Sequence, residues 1–346
     1  MEIVVALVIG MLGMIVIMQV FGVFEGQKRS TSSGDEAQNN GAIALAGLQR
    51  DIQQSGYGIS DLTLIGCGLT LPSGATLTSL APLTINPAAI PVGDAGTDTL
   101  LVVYGNGNNS VLGAVIGTQT ANTVYPLTTS LEFAVADRVI ARPTSACGTL
   151  TLDTVNAIAA SSVTVATGVA GVTKGQLYGL GAAPVVRAYA IRNGNLTVCD
   201  YMAKNCGDGT KTGDATYWVP IANNIVSLKA QYGNDTTIPA MDGTVDIYSL
   251  SSAAPAGATS TSVQCGWARI PAVRIALVAR SVQYDKNAVT TSAPSWAGTS
   301  ANNPTGSTAN PIDLSGDTNW QHYRYKTFET TIPIRNIVWM GVQPTC

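Results

Sequence analysis

Residues 1–26 read MEIVVALVIGMLGMIVIMQVFGVFEG, and this stretch decides how the rest of the chain is arranged. From Ile3 to Phe24 the only polar side chain is Gln19. A helix of that length is about 33 Å long, which is enough to cross the hydrocarbon core of a bilayer. Because the helix is apolar on every face, it must be surrounded by lipid or by other protein. No Lys or Arg precedes it and no small-residue cleavage site follows it, so it is not a complete secretory signal.

A second helical pattern occupies residues 35–58, DEAQNNGAIALAGLQRDIQQSGYG. Apolar and small residues recur there at steps of three and four, which is typical of an amphipathic helix with one face on a globular domain. Gly56 and Gly58 are predicted to end this helix. The intervening EGQKRSTSSGDE contains weak helix formers, so we expect a kink or an unwound stretch there. The predicted buried face consists of Ala37, Gly41, Ala44, Leu45, Leu48 and Ile52.

The composition indicates a large chain with a nearly uncharged surface. Of its 346 residues, 46% are hydrophobic, which is enough to bury a core, and only 11% are charged. The net charge is −3 and no basic run occurs, so the sequence gives no indication of nucleic-acid binding.

The six cysteines all follow the N-terminal segment, and none forms a CxxC pair. With His322 as the only histidine, a zinc site is not indicated. The even number favours an oxidising compartment and up to three disulfides, with buried free thiols as the alternative. Cys199–Cys206 is the favoured pair because it would close a short polar loop. The disulfide candidates are Cys67, Cys147, Cys199, Cys206, Cys265 and Cys346.

Beyond Tyr57 the sequence changes to short apolar or alternating runs separated by turn residues. The clearest hairpin is RAYAIRNGNLTVC, residues 187–199, in which Asn193-Gly194 suits a type I′ turn. The predicted strands lie at 99–105, 111–117, 137–142, 161–169, 187–199, 225–233, 273–281 and 327–339.

The expected fold class is α+β, with a long N-terminal α-helix carrying a large antiparallel β-sheet-rich globular head. The helix takes residues 1–58, with an apolar half at 1–24 for membrane insertion and assembly and an amphipathic half at 35–55. The head takes residues 59–346 and is stabilised by disulfides. A long polar loop is expected around 287–320, where Ser, Thr, Asn, Pro and Gly dominate.

Several of these segments resemble one known family. EIVVALVIGMLG at 2–13, followed by LQRDIQQSGYG at 48–58, is similar to the N-terminal region of type IV pilins, specifically the PilW-like group. IVSLKAQYG (225–233), VRIALVARS (273–281) and YKTFETTIPIRNIVW (325–339) resemble the late strands of PilW-like heads. The resemblance implies a pilin-like fold and a prepilin peptidase that exposes a mature, methylated N-terminus. The family glutamate usually stands fifth in the mature chain, and here it is second. Two explanations for this difference stay open: the chain extends upstream of Met1, or it is processed or numbered differently.

The resemblance also implies a role for the lone carboxylate of Glu2. In type IV filaments the apolar helices stack into a central bundle, where this glutamate can meet the α-amino group of a neighbouring subunit. A carboxylate in apolar surroundings is costly unless it is paired, so docking onto a filament relieves that cost. The alternative is an acid at the membrane edge that is solvated by headgroups. The predicted assembly residues are Met1, Glu2, Leu7 and Ile9.

We expect no catalytic residues and no cofactor. GNGNNS at 105–110 lacks a third glycine, and no GxSxG elbow occurs. His322 is predicted to be a surface or packing residue rather than a triad member. Four aspartates in glycine-containing loops are weak calcium candidates, since their spacing does not fit an EF-hand and turns favour Asp and Gly anyway. These aspartates are Asp208, Asp214, Asp235 and Asp242. The four tryptophans have two interpretations, a glycan-binding face or residues that anchor the core and loops; they are Trp267, Trp296, Trp320 and Trp339.

Three functional interpretations follow. The first is a structural subunit of a type IV pilus-like extracellular filament, a helical homo-oligomer that polymerises through its apolar helix. The second is a minor PilW-like pilin that primes pilus assembly or sits at the tip, with a role in adhesion. The third is a membrane-anchored glycan-binding or hydrolytic domain. The resemblance implies other pilins and the inner-membrane assembly machinery as partners. It also implies a single-pass inner-membrane precursor that moves to an extracellular filament on the bacterial surface.

Overall fold

The N-terminal helix is one continuous element in the computed structural model, which describes residues 2–107, 110–145, 148–298 and 310–346. This helix, α1, spans Glu2–Gln54. Its 53 residues correspond to a rod about 80 Å long. The helix continues through residues 25–36, all described, so the expectation of an unwound stretch there is wrong. That stretch contains no proline, and each Gly or Ser costs only about 1 kcal/mol or less, which helix propagation from both sides offsets.

The remaining described residues form nineteen strands, two short α-helices and two 3₁₀ turns. The 3₁₀ turns are Gly209–Lys211 and Trp320–His322, and the helices are α2 (Val263–Ala268) and α3 (Arg335–Met340). The strands are β1 (Gly68–Thr70), β2 (Thr76–Leu77), β3 (Leu83–Ile85), β4 (Leu100–Tyr104), β5 (Ala114–Val115), β6 (Val124–Pro126), β7 (Arg138–Arg142), β8 (Thr149–Ala159), β9 (Ser162–Val165), β10 (Gln176–Gly181), β11 (Val185–Arg192), β12 (Asn195–Asp200), β13 (Val219–Ala222), β14 (Ile225–Asn234), β15 (Ile247–Ser249), β16 (Ala272–Arg280), β17 (Ser295–Trp296), β18 (Asn310–Pro311) and β19 (Tyr325–Pro333).

One sheet has the order β13-β12-β11-β4-β3, and its centre is the predicted hairpin. Strands β11 and β12 pair antiparallel, with Arg192 opposite Asn195. The two turn residues between them are left-handed, with φ of 51° at Asn193 and 69° at Gly194. Both values are those that a type I′ turn requires, so the hairpin prediction is confirmed.

A second sheet has the order β15-β14-β16-β19 and lies under the amphipathic half of α1. The three long strands pair antiparallel throughout. The helix approaches β19 closely at Gly41, where an added Cβ would lie 2.1 Å from the ring of Phe328. Any larger residue would require the Phe328 ring to move, so glycine at position 41 allows the helix and the sheet to lie this close together.

The largest sheet has eight strands, six of them in the order β2-β1-β8-β7-β10-β5, with β9 joining β8 and β6 pairing with β9. It includes one parallel pair, because Gly68–Thr70 of β1 runs in the same direction as β8. The expectation of an antiparallel head therefore needs this one correction. Strands β17 and β18 form a separate two-stranded ladder. The fold class is α+β, with a long N-terminal helix and a sheet-rich body.

Buried side chains divide into several clusters rather than one core. The largest joins α1 to the first two sheets and includes Leu48, Ile52, Leu100, Ile191 and Leu277. A second lies between the first sheet and the eight-stranded sheet, and a third lies within the latter around Tyr125. The head therefore has its own apolar interior, and the amphipathic half of α1 contributes to that interior.

Several predicted strands differ from the observed ones: the run 161–169 shortens to Ser162–Val165, and two others differ for identifiable reasons. The run 327–339 is not one strand, because β19 ends at Pro333 and Arg335–Met340 is helical. Proline has no N–H for the sheet ladder, which favours an end to the strand there. The run 111–117 shortens to Ala114–Val115, since Gly113 adopts a left-handed φ of 68°. Two long strands, β8 and β10, were not predicted, and neither were the short strands β1, β2, β3, β6, β13, β15, β17 and β18.

The polar segment 287–320 is only partly described, because residues 299–309 lie outside the described ranges. Its described parts carry β17, β18 and buried Trp296, Ile312 and Leu314. These three side chains pack against Ala276 and Val278 of β16, so the segment is attached to the head at those points.

Candidate functional site

The first half of α1 is apolar, and no other described residue of the chain covers it. Residues Glu2–Gly22 are long and apolar enough to cross a membrane by length and composition, and none of the most apolar window is buried. The predicted assembly residues Leu7 and Ile9 are 69% and 64% exposed. A surface this apolar needs lipid or other protein around it, because the described part of the chain leaves it uncovered.

Glu2 lies at the start of α1 and is exposed. Within the described residues its carboxylate has no hydrogen bond and no ion pair. The next cation along the chain is Lys28, about 39 Å away along the helix axis. Met1, the other half of the predicted pair, lies outside the described residues. The pairing of Glu2 with a neighbour's ammonium therefore stays a prediction.

The second half of α1 is attached to the head by apolar contacts along one face. Ala37, Ala44, Leu48 and Ile52 are all buried, and Leu48 is only 1% exposed. Burying a leucine fully is worth about 1.5–3 kcal/mol, so these side chains account for much of the attachment.

A polar cluster completes the junction between helix and head. The carboxylate of Asp51 accepts hydrogen bonds from the hydroxyl of Tyr104 at 3.1 Å and from the hydroxyl of Tyr189. Arg187 donates to the same carboxylate at 3.1 Å and forms an ion pair with it. Strand β4 supplies Tyr104, while β11 supplies Arg187 and Tyr189, so one helix residue is tied to two adjacent strands.

Burial and the Asp51 carboxylate also affect the tyrosines. Desolvation, followed by the charge of Asp51, raises the pKa of Tyr104 to about 12. The pKa of Tyr189 is raised for the same reasons. The two hydroxyls therefore stay protonated, and remain hydrogen-bond donors to Asp51, at alkaline pH values above 10 where an unperturbed tyrosine loses its proton.

The C-terminal end of α1 is held by α3. The side-chain amide of Asn336 donates to the carbonyl of Gln54 at 3.1 Å and to that of Ser55 at 2.8 Å. The last carbonyls of a helix have no partners within the helix itself, and Asn336 satisfies two of the carbonyls at this end. These two hydrogen bonds hold the C-terminal end of α1 against α3.

Sequence reasoning missed this junction, although one signal was present. Asp51 stands between Leu48 and Ile52, on the side of the helix that the periodicity assigns to the head. A carboxylate at such a position predicts a cation or hydroxyl partner. Nothing in the sequence indicates that Tyr104, Arg187 and Tyr189 would be those partners, because they come from distant strands.

Two disulfides staple the described part of the head. Cys199 bonds to Cys206, the pair favoured from the sequence, and Cys265 bonds to Cys346. Cys67 is also disulfide-bonded, while Cys147 lies outside the described residues. The Cys265–Cys346 bond spans 81 residues and joins α2 to the last residue of the sequence.

A buried ion pair lies beside the Cys265–Cys346 bond. Arg269, 1% exposed, lies 3.5 Å from the carboxylate of Asp235. The guanidinium also donates to the carbonyls of Thr237, Pro239 and Cys346. A buried cation is tolerated only when it is paired and hydrogen-bonded, as it is here. This residue holds the end of the chain against the loop that follows β14.

The four aspartates considered as calcium ligands do not come together in one site, and their carboxylates accept hydrogen bonds from nearby residues instead. Asp208, Asp214 and Asp242 each accept hydrogen bonds from the N–H and hydroxyl of the threonine two residues later, which lowers the pKa of each carboxyl group. Asp235 accepts from the backbone N–H of Asp242 and faces Arg269. Among the described residues no group of three metal-binding side chains comes together.

The histidine and tryptophans also take defined positions. The ring of His322 hydrogen-bonds the carbonyl of Asp285 at 2.8 Å and stacks on Tyr284. Trp267 and Trp296 are buried, so the four predicted tryptophans do not form one glycan-binding face. The exception is Trp339 on α3, which is 78% exposed.

These features define a class of protein: a sheet-rich head held rigidly on a helix whose free half is able to span a membrane. A family model described as Type IV Pilus-assembly protein W matches residues 188–336. The matched segment runs from β11 into α3 and contains Tyr189, the buried ion pair of Asp235 with Arg269, and Asn336. The match supports a PilW-like family and indicates a protein related to type IV pilus assembly. Comparisons with curated proteins and with solved structures found no match.

Proposed function

We propose that this chain is a structural subunit of a type IV pilus-like extracellular filament and that it polymerises through the apolar half of α1. One observation carries the proposal. Residues Glu2–Gly22 are apolar and unburied, yet they continue without a break into a helical half that is packed on the head. Such a helix serves as a membrane anchor before assembly and as the interior of a bundle after it.

The energetics of the bundle follow from the exposed side chains. Lipid is as apolar as leucine, so association of the helices is driven by packing and by polar pairs rather than by the hydrophobic effect. Gly10, Gly13 and Gly22 leave open space beside the helix, which allows neighbouring backbones to approach. A neighbour's ammonium 4 Å from Glu2 contributes about 4 kcal/mol at an effective dielectric near 20, which favours one axial register.

The proposed route follows from the two environments of the helix. The precursor is a single-pass inner-membrane protein that interacts with other pilins and with the assembly machinery. It then moves into an extracellular filament on the bacterial surface, where the disulfide-bonded head faces outward. The oxidising conditions that disulfides require agree with a head outside the cytoplasm.

A second candidate is a minor pilin that primes assembly or sits at the tip. The description of the matched family, which names pilus assembly, favours it. Both candidates use the same helix in the same way, and they differ in copy number. A main subunit repeats along the fibre, whereas a minor one is present at an end or in a few copies.

Imaging of purified filaments, with subunits identified by mass spectrometry, tests the proposal. We expect this chain to repeat along the filament, with residues 2–22 in the wall interior. Finding it only at one end would support the minor-pilin candidate instead. Filaments that lack the chain, or a map that places the apolar half outside the wall, would contradict both candidates.

A further inference from the structure

A groove runs beside the C-terminal end of α1, at the opposite end of this helix from the apolar residues Glu2–Gly22. Its larger part, about 840 Å³, lies between α1 and strands β11 to β13. A smaller part, about 360 Å³, lies between the end of α1 and α3. The two parts share the lining residues Gln54 and Tyr104 and therefore adjoin each other, and together they are called the groove.

The groove carries more positive than negative charge in a protein of net charge −3. Four cations line it, Arg50, Arg187, Lys204 and Arg335, against the two carboxylates of Asp51 and Asp200. The Asp51 carboxylate is already occupied by Arg187 and two tyrosines. Among the described residues, Arg50 and Arg335 have neither an ion pair nor a side-chain hydrogen bond, so their guanidinium groups are free to meet a ligand.

An exposed tryptophan stands at the narrow end of the groove. Trp339 is 78% exposed, whereas Trp218, Trp267 and Trp296 are buried. Its neighbours in this part of the groove are the amides of Gln53 and Asn106 and the guanidinium of Arg335. An indole face stacks well on the flat C–H face of a sugar ring, while amides and guanidinium groups bind hydroxyls and carboxylates.

The wall of the groove is held in place before any ligand arrives. Tyr104, Tyr189 and Arg187 are fixed by their shared contacts with Asp51. Lys204 is also held, because its ammonium donates to the carbonyl of Thr216 and lies 4.8 Å from the centre of the Tyr217 ring. A rigid site loses less conformational entropy on binding, so modest contacts suffice for affinity.

We propose that this groove binds a polysaccharide that carries carboxylate groups. The open, elongated shape suits a chain of sugar rings, and the excess of cations suits uronic-acid carboxylates. An acidic peptide is the less favoured occupant, because the groove-lining edge strand β13 contains Pro220, which removes one backbone donor that an added strand would need. The filament proposal is independent of this one, since the groove residues lie far from Glu2–Gly22.

The test is calorimetric titration of the full chain in detergent micelles. The three probes are an oligomer of galacturonic acid, a neutral galactose oligomer of the same length and an oligoglutamate peptide of the same charge. We expect the galacturonic oligomer to bind and the other two to bind at least about tenfold more weakly. Raising the salt concentration should weaken this binding, because the cations are partly exposed. Equal binding of the neutral oligomer, or tighter binding of the peptide, would overturn the proposal.

Two variants locate the binding, two others serve as controls, and a fifth tests the aromatic face. Arg335→Ala and Trp339→Ala should each weaken binding of the galacturonic oligomer about tenfold or more. Lys326→Ala removes an exposed cation from β19, and Leu131→Ala trims an exposed apolar side chain elsewhere on the head, and both should bind like the parent chain. Trp339→Phe keeps an aromatic face and should retain most of the affinity. Thermal unfolding of every variant should match the parent, because Arg335 and Trp339 are exposed. Parent-like binding by both Arg335→Ala and Trp339→Ala would place the site elsewhere and reject the inference.

Discussion

The two halves of α1 share one backbone conformation but have opposite surroundings. Leu7 in the first half is 69% exposed, and Leu48 in the second half is 1% exposed. The first half is apolar on every face, while the second half is apolar on one face only. The first therefore needs partners on all sides, and the second needs a single surface.

This difference shows where each half obtains its stability. The second half is attached within the chain by apolar contacts, by the Asp51 cluster and by Asn336. The first half has none of these contacts, so its environment comes from lipid or from other molecules. Substitutions in the first half should therefore change assembly without changing the head. Substitutions in the second half should change the head first.

The largest effect is expected for Leu7→Asp, which should abolish filament formation. A carboxylate within a membrane helix costs up to about 2.5–3.5 kcal/mol on insertion scales, the full value applying at the helix centre, and at position 7 it would remain unpaired in the bundle. The head should unfold at the parent temperature, because Leu7 makes no contact with it. Electron microscopy of sheared filaments, together with thermal unfolding in detergent, measures both quantities. Leu131→Asp, at a head residue that is 93% exposed, is the control and should assemble normally.

Glu2→Gln should leave the subunit folded and inserted but poorly incorporated into filaments. If Glu2 pairs with a neighbour's ammonium, losing one partner of a buried pair costs about 3–5 kcal/mol, because the other charge is left unpaired. Co-expression with the parent chain, followed by quantitative mass spectrometry of filaments and membranes, measures the competition. Glu36→Gln, on the exposed side of the second half, should incorporate like the parent. Equal incorporation of Glu2→Gln would mean that the carboxylate does not guide docking.

Leu48→Ala should lower the free energy of unfolding by about 2–5 kcal/mol, since it leaves a cavity in the largest buried cluster. Denaturant unfolding of the full chain in detergent measures this loss. The matched substitution Leu12→Ala, at a position that is 58% exposed, should change the same free energy by less than about 0.5 kcal/mol. Similar losses for the two variants would remove the distinction between the halves.

Asp51→Asn should give the smallest effect, a loss of about 1–3 kcal/mol, because hydrogen bonds to a charged acceptor are replaced by weaker ones. The matched control is Asp200→Asn, an exposed carboxylate in the same groove, which should be close to neutral.

The pH dependence of the folded protein's stability distinguishes the Asp51 cluster from apolar packing, which does not titrate. The pKa of Tyr104 is raised to about 12 in the folded protein, above its ordinary value near 10. A raised pKa contributes stability that is fully present below pH 10 and is lost as the pH rises towards 12. Asp51→Asn removes one cause of the shift, so the variant should lose less stability than the parent across this window. Unfolding at several alkaline pH values, with tyrosinate absorbance followed in parallel, tests this. Identical pH slopes would mean that Asp51 does not act on Tyr104.

Local patterns in the sequence were sufficient for several features. The step of three and four along residues 37–52 predicts the face that meets the head, and Asn193-Gly194 predicts the turn between β11 and β12. Both depend on neighbouring residues alone. The unwound stretch expected at 25–36 was wrong because weak propensities were given more weight than the long helices on either side. The strand expected at 327–339 ended at Pro333, where the proline could have been given more weight.

The sequence by itself determined that residues 3–24 are apolar on every face of a helix, since every side chain but one in that stretch is apolar. It also determined that an amphipathic half follows, because the periodicity of a helix is a local property. Only the tertiary structure decided that Asp51 meets Tyr104, Arg187 and Tyr189, and that Arg335 and Trp339 come to line one groove with Arg50. The contacts of Asp51 join residues between 53 and 138 positions apart, and their geometry depends on how whole sheets pack against the helix.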